Sequence, residues 1–253
     1  MIYGETTLML LIAGLGLALG SFLNVVICRL PDGWRKFFGS VFSRCPACRE
    51  KIRWHDNIPL LGFLLLKGRC RSCGVKISPQ YPLVEGAMAC LTLFIYREYG
   101  LGLYFYKYLV LSFVLLAAAV IDFQTRRVPN ELIFSGMAAG IVFAFLCPFP
   151  GWRSSLTGLG LGAALPLLLV TAYEMIRGKT VMGGGDIKLM AMIGVFLGWQ
   201  RLGPMIFYSS LAGLVWAAAQ RLAGGGKKTP FAPGLALGSF FILLAPERLL
   251  PFF

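Results

Sequence analysis

The sequence has 253 residues, of which 57% are hydrophobic and only 14% charged, with a formal net charge of +13. A soluble domain carries about 25% charged residues, so this composition excludes an ordinary water-solvated globule and points to a surface that meets lipid. The single histidine, His55, excludes any mechanism that needs several.

In chain order, apolar segments fall at 6–28, 80–97, 102–122, 131–149, 155–176, 184–200, 203–222 and 232–250. Each is close to the roughly 20 residues that a spanning helix needs. Lipid cannot satisfy open backbone groups, so the expected fold class is all-α and polytopic, with about eight transmembrane helices. The break between the sixth and seventh segments is short. The first segment is longer than the apolar core of a secretory signal and reads as a spanning helix rather than a cleaved leader.

Residues 29–79 are polar and basic and form the only candidate for a domain outside the membrane. The apolar run Ile58–Leu66 inside them is too short to span and reads as a loop core or an interfacial segment. Three domains are therefore expected: a first helix over 1–28, a small loop domain over 29–79 and a membrane core over 80–253.

Orientation follows from lysine and arginine placement. With the N-terminus outside, all but Arg97, Lys107, Arg153, Arg201 and Arg248 of the 24 lysines and arginines face the cytoplasm. The basic balance is thus a topology signal and an attraction to anionic lipid headgroups, not a nucleic-acid footprint.

Cys45-x2-Cys48 and Cys70-x2-Cys73 form two CxxC pairs in the loop. Two such knuckles bring four thiolates together tetrahedrally, as zinc prefers. Four protein ligands close the site, so its expected role is structural: folding a loop too small to hold itself together. A redox pair or an iron–sulfur site is the competing reading, without a redox fold or iron–sulfur spacing to support it. Cys28, Cys90 and Cys147 lie in apolar runs, where a free thiol behaves as a small hydrophobe.

Acidic residues in spans are costly and usually functional. Glu85, Asp122, Glu131, Glu174 and Asp186 lie near segment ends, all on the cytoplasmic side of this topology. Capping or interfacial placement is the plain reading for any one of them. Asp186 follows Gly183, Gly184 and Gly185 and opens a very apolar helix, and glycines let backbone pass close to a peptide or adopt conformations that other residues cannot. Asp122 closes the third segment, ahead of Val128-Pro129-Asn130. Two facing aspartates would share a proton, one acting on a water as base and the other polarising a carbonyl.

These residues, in this order, closely resemble the bacterial type IV prepilin peptidases, or leader peptidase/N-methyltransferases. The resemblance covers nearly the whole chain. It rests on Gly20-Ser21-Phe22-Leu23-Asn24 with Arg29-Leu30-Pro31, on the two CxxC pairs, and on Asn57-Ile58-Pro59-Leu60-Leu61. It also rests on Ile77-Ser78-Pro79-Gln80-Tyr81-Pro82-Leu83-Val84-Glu85, on Ile121-Asp122 through Asn130, and on Gly183-Gly184-Gly185-Asp186-Ile187-Lys188-Leu189. Gly86 and Cys28 stand where other residues are common. The resemblance implies an inner-membrane aspartic peptidase with Asp122 and Asp186 as the catalytic pair. Gly183, Gly184, Gly185, Glu85 and Lys188 would support that pair or bind substrate, with Glu85 facing an arginine or the substrate N-terminus. It implies prepilin or pseudopilin substrates cut after a glycine, and S-adenosylmethionine as methyl donor to the new N-terminus. Ser21 and Asn24 read as helix–helix hydrogen-bonding groups. A transporter with intramembrane acids is the alternative of a different class, though duplicated halves are not evident. A purely structural scaffold would leave the glycine run unexplained.

Overall fold

The computed structural model describes residues 2–33, 37–39, 43–178, 182–222 and 230–244. Arg35, Lys36, Lys179, Lys227, Lys228 and Arg248, which enter the orientation argument, lie outside the described residues, as does the 245–250 end of the last apolar segment. Among the described residues there is no strand, only two isolated antiparallel bridges, Arg44 with Lys51 and Arg69 with Lys76. The chain divides into two compact units, Met1–Gly100 and Leu101–Phe253.

The first unit holds α1 (Ile2–Arg29), 3-10 turns at Leu30–Asp32 and Trp54–Asn57, the short α2 (Leu61–Leu65) and α3 (Gln80–Tyr99). Pro31 cannot continue the α1 ladder, and Gly33 (φ 92°) turns the chain away. Proline also marks the start of α3, at Pro79, and Gly100 (φ 60°) ends it. Helices α1 and α3 pack antiparallel along a seam of small residues. A Cβ on Gly16 would sit 2.6 Å from Ala89 Cα, and one on Gly20 would sit 2.6 Å from Glu85 Cα. Apolar contact alone drives little association between helices in lipid, so close backbone approach at small residues four apart supplies it. In α2, Leu61, Leu64 and Leu65 are exposed while Gly62 is buried. With Trp54, 81% exposed, they give the loop an apolar outer surface, so the Ile58–Leu66 run is not a loop core.

The second unit holds α4 (Leu103–Thr125), α5 (Asn130–Leu146), α6 (Trp152–Arg177), α7 (Gly184–Leu197), a 3-10 turn at Trp199–Arg201, α8 (Leu202–Leu222) and α9 (Ala232–Leu244). Its centre is α7, buried continuously from Leu189 to Leu197. Helices α4, α5, α6 and α9 all pack on it. On α6, Gly158 meets the backbone of Gly194, and a Cβ on Gly162 would lie 2.7 Å from the Met190 carbonyl oxygen. On α5, Cβ atoms at Gly136 and Gly140 would each lie 2.6 Å from α7, against the Met192 sulfur and Val195 Cγ1. Small residues four apart therefore recur on both helices that flank α7, and they let a fully apolar helix be enclosed by neighbours.

Each expected apolar segment carries a helix, but among the described residues four are long and apolar enough to cross a membrane: Glu5–Asp32, Leu103–Thr125, Trp152–Arg177 and Trp199–Leu222. The count of eight spans is not carried by length and apolarity. Helix α3 includes Glu85, Arg97 and Glu98, and α7 is short because it is wrapped by protein rather than lipid. Among the described residues, helices α5 and α9 are apolar and of 10–17 residues.

Candidate active site and metal centre

In the first unit, the four loop cysteines converge. The sulfurs of Cys45, Cys48, Cys70 and Cys73 all lie within 4.8 Å of one another, with Cys45 and Cys73 3.9 Å apart. Four sulfurs at about 2.3 Å from a zinc ion would sit about 3.8 Å apart, so the donor set and its spacing fit zinc.

The two knuckles have the same backbone. The Cys45 amide donates to Glu50 (3.0 Å) and the Arg49 amide to Cys45 (2.9 Å). In the second knuckle the Cys70 amide donates to Val75 (2.8 Å) and the Gly74 amide to Cys70 (2.9 Å). Each turn needs a left-handed residue after its second cysteine. Gly74 (φ 70°) supplies it freely, whereas Arg49 (φ 59°) supplies it at a steric cost.

Backbone hydrogen bonds from Cys48 and Ala47 pull the Cys45 thiol down to about 7. Cys48 goes the other way, up to about 11: the Glu50 backbone hydrogen bond lowers it, but burial and the sulfurs of Cys45, Cys73 and Cys70 outweigh that. Clustered thiols without a cation lose their protons in unequal steps; a dication would take all four as thiolates.

A two-pronged ion pair braces the loop. Arg71 Nε donates to Asp56 Oδ2 (2.8 Å) and Nη2 to Oδ1 (2.6 Å), joining the 3-10 turn at Trp54–Asn57 to the second knuckle. The Arg71 guanidinium holds the Asp56 carboxyl below the usual carboxylate range.

Glu85, on α3, is buried at 7% exposure. Its Oε2 accepts the Leu60 amide (2.8 Å), and the Ser21 side chain lies close to it. No arginine among the described residues pairs with it. Asn24 bridges the helices as expected, with Nδ2 donating to the carbonyls of Gly20 (3.3 Å) and Tyr81 (3.2 Å).

In the second unit, Asp122 and Asp186 lie within electrostatic range of each other. Asp122 is in the last turn of α4 and only 6% exposed. The helix ends there because Arg126 turns left-handed (φ 55°) and its amide closes on the Asp122 carbonyl at 2.8 Å. Asp122 Oδ2 accepts the Ala232 amide at 3.0 Å, across 110 positions of sequence. Ala232 is the first residue of α9, so the carboxylate sits on that helix's positive end. Asp186 occupies the first turn of α7, where its amide donates to the carbonyl of Gly183 (3.1 Å), the residue before the helix.

The glycine run needs a correction. None of Gly183, Gly184 and Gly185 takes a positive φ, and a Cβ on each would meet open space or ordinary contact distances of 3.6 Å and beyond. The protein's own backbone does not require these glycines; what they leave is bare, accessible chain beside Asp186. Lys188, half-buried, reaches across to α5. Its Nζ donates to Asn130 Oδ1 (2.9 Å) and lies 5.6 Å from the centre of the Phe134 ring. This bond ties the start of α7, which carries Asp186, to the start of α5, the helix that follows α4 and Asp122 in the chain. Glu131 sits in the first turn of α5, where an acid suits the helix dipole, whereas Glu174 sits in the last turn of α6, beside Arg177 at the end the dipole makes negative.

Sequence reasoning missed Ala232 because its contribution is a backbone N–H, which no side-chain motif encodes. The stretch Phe231-Ala232-Pro233-Gly234, with a proline in the first helical turn, was the available signal.

Residues 15–99 match the family described as Bacterial Peptidase A24 N-terminal domain, and residues 109–218 match the Type IV leader peptidase family. A prepilin leader peptidase/N-methyltransferase of Neisseria gonorrhoeae is 36% identical, the match covering 94% of this chain and 90% of the relative. The protein of that description from Klebsiella pneumoniae is 41% identical over 78% of this chain and 88% of its own length. The one from Stutzerimonas stutzeri is 35% identical over 93% and 90%. No solved structure matches the chain. The transporter reading finds no support in these matches.

Proposed function

Because the chain belongs to the type IV leader peptidase family, we propose that Asp122 and Asp186 are the pair with which it cleaves the leaders of prepilins. The protein is a multi-pass membrane peptidase that also N-methylates its product. The observation that supports the site assignment is that two partly buried carboxylates, at the end of α4 and the start of α7, lie within electrostatic range of each other.

The two carboxylates share one proton. Asp122, held on the Ala232 amide at the start of α9, is the ionised member and takes a proton from the attacking water. Asp186 carries the shared proton and donates a hydrogen bond to the scissile carbonyl oxygen as it gains charge. Collapse of the tetrahedral intermediate breaks the C–N bond, with a proton passing to the leaving nitrogen. Gly183, Gly184 and Gly185 leave room for a substrate backbone beside Asp186, and Lys188 with Asn130 braces the site.

The finer assignments follow the same reading. Residues 1–28 form the first span, 29–79 a cytoplasmic zinc-ribbon-like domain and 80–253 the peptidase core, with the N-terminus outside. Cys45, Cys48, Cys70 and Cys73 hold a structural zinc, whose chemistry is to cross-link the loop. Substrates are type IV prepilins or pseudopilins cut after a glycine, and the methyl donor is S-adenosylmethionine. Nucleic acid is not a partner, and anionic lipid is.

The test is cleavage of a prepilin by the reconstituted protein beside Asp122→Asn and Asp186→Asn, with the product N-terminus weighed. Wild type should cut and add one methyl group, while both variants insert normally and fail to cut. Cleavage by either variant at the wild-type rate would overturn the aspartate assignment.

A further inference from the structure

We propose that Glu85, Ser21 and Asn24 form the methyl-acceptor site: they hold the α-ammonium group of the cleaved pilin, and Glu85 takes its proton as the methyl group arrives. The inference rests on the N-methyltransferase activity and not on the aspartate assignment, since all three residues belong to the first unit.

Glu85 is buried, yet the hydrogen bond its carboxylate accepts comes from a neutral group, the Leu60 amide (2.8 Å), with the neutral Ser21 side chain close by. Among the described residues no lysine, arginine or histidine pairs with it. A carboxylate removed from water without a cation is costly and calls for a positively charged partner.

A second, independent feature points the same way. Asn24 is 2% exposed, and its Oδ1 accepts no hydrogen bond. The amide cannot be turned round to cure this, because Nδ2 already serves the carbonyls of Gly20 and Tyr81 and an oxygen there would face two acceptors. Ser21 and Asn24 are three apart on α1 and so share a face. Gly20, beside them, brings α1 against the Glu85 backbone. One carboxylate, one hydroxyl and one amide oxygen are three acceptors on a single seam, and a primary ammonium carries three N–H donors.

Leu60 adds a third sign. It sits at φ 58°, ψ −48°, a conformation few L-residues adopt, with its amide aimed at Glu85. Such strain persists where the surroundings hold it in place, and it clusters at functional sites.

The step balances. The ammonium gives one proton to Glu85 and becomes a neutral amine. Its lone pair forms a C–N bond to the methyl carbon of a sulfonium donor, the C–S bond breaks, and its electrons return to sulfur as a thioether. The product is a secondary ammonium that keeps two N–H bonds.

The experiment supplies the full chain in detergent with a pre-cut peptide bearing a free pilin-like N-terminus and a labelled sulfonium donor, so that cleavage is bypassed. Wild type should label the peptide and ignore its N-acetylated form. Glu85→Gln keeps an acceptor for the Leu60 amide and should lower methylation by about 100-fold, the low end for loss of a general base. Asn24→Ala should act mainly through a raised KM for the peptide. In both variants the loss of methylation should exceed any loss of prepilin cleavage at least tenfold. Glu85→Gln methylating at the wild-type rate, or cleavage and methylation falling together, overturns the proposal. Wild type failing to label the pre-cut peptide overturns the methyltransferase activity itself and the proposal with it, while leaving the peptidase reading to the separate cleavage assay.

Discussion

The Ala232 amide offers a test of the aspartate site that changes no side chain. Replacing the Phe231–Ala232 peptide bond by an ester, with lactate in place of Ala232, deletes the N–H donated to Asp122 Oδ2 at 3.0 Å. Ala232 is the first residue of α9, so its N–H serves no bond within that helix, and the helix should survive the change. A hydrogen bond to a charged group is worth about 1.5–3 kcal/mol net. If Asp122 must be ionised to act, that loss raises the barrier directly and lowers kcat/KM for prepilin cleavage by about 10- to 150-fold. The control is an ester at Leu235, whose amide donates to the Phe231 carbonyl at 3.2 Å inside the same helix turn. That bond is neutral, worth about 0.5–1.5 kcal/mol, and its loss should fall on stability rather than on turnover. Equal effects of the two esters on kcat/KM, or wild-type cleavage by the Ala232 ester, would refute the role given to α9.

Three further outcomes are expected. Gly194→Leu would drive a side chain into the backbone of Gly158, and because backbone cannot yield as a flexible side chain can, the α6–α7 contact should open; thermal unfolding in detergent should fall by at least the 1–3 kcal/mol typical of overpacking, about, and activity with it. Arg49→Gly should relieve the left-handed strain of the first knuckle, worth about 1–2 kcal/mol less the extra chain entropy of glycine, so zinc should be retained against a competing chelator slightly better than in wild type. Asp56→Asn should loosen the loop at neutral pH by removing the pair with Arg71. Because the folded Asp56 pKa is depressed by Arg71, the stability it adds is present above the unfolded value near ~4 and is lost as pH falls through the folded value. The gap between wild type and variant, followed by proteolysis of the loop, should therefore close in acid.

Much of this molecule was legible without coordinates, for a physical reason in each case. Cysteine spacing is a local property, so Cys45, Cys48, Cys70 and Cys73 marked a candidate closed metal site, and their sulfurs do converge. A continuous apolar run of about 20 residues crosses lipid as a helix, whereas a barrel strand alternates, so the all-α class followed from the hydropathy pattern. Asp122 and Asp186 stood out because carboxylates in apolar runs need a reason to be there. What remained hidden were relations between distant segments. Helix α7 is apolar on every side because α4, α5, α6 and α9 enclose it, and a protein-wrapped helix and a lipid-wrapped one carry the same hydropathy. The triple glycine suggested unusual backbone, whereas the fold shows ordinary torsions and open space beside Asp186. Lys188, expected to support the pair or bind substrate, also bonds Asn130, 58 positions away, which its motif does not show. The sequence by itself determined which residue types are present and their local periods; only the tertiary structure decided that a backbone amide 110 positions away would meet Asp122, because that contact depends on how helices cross and not on any side chain a motif could name.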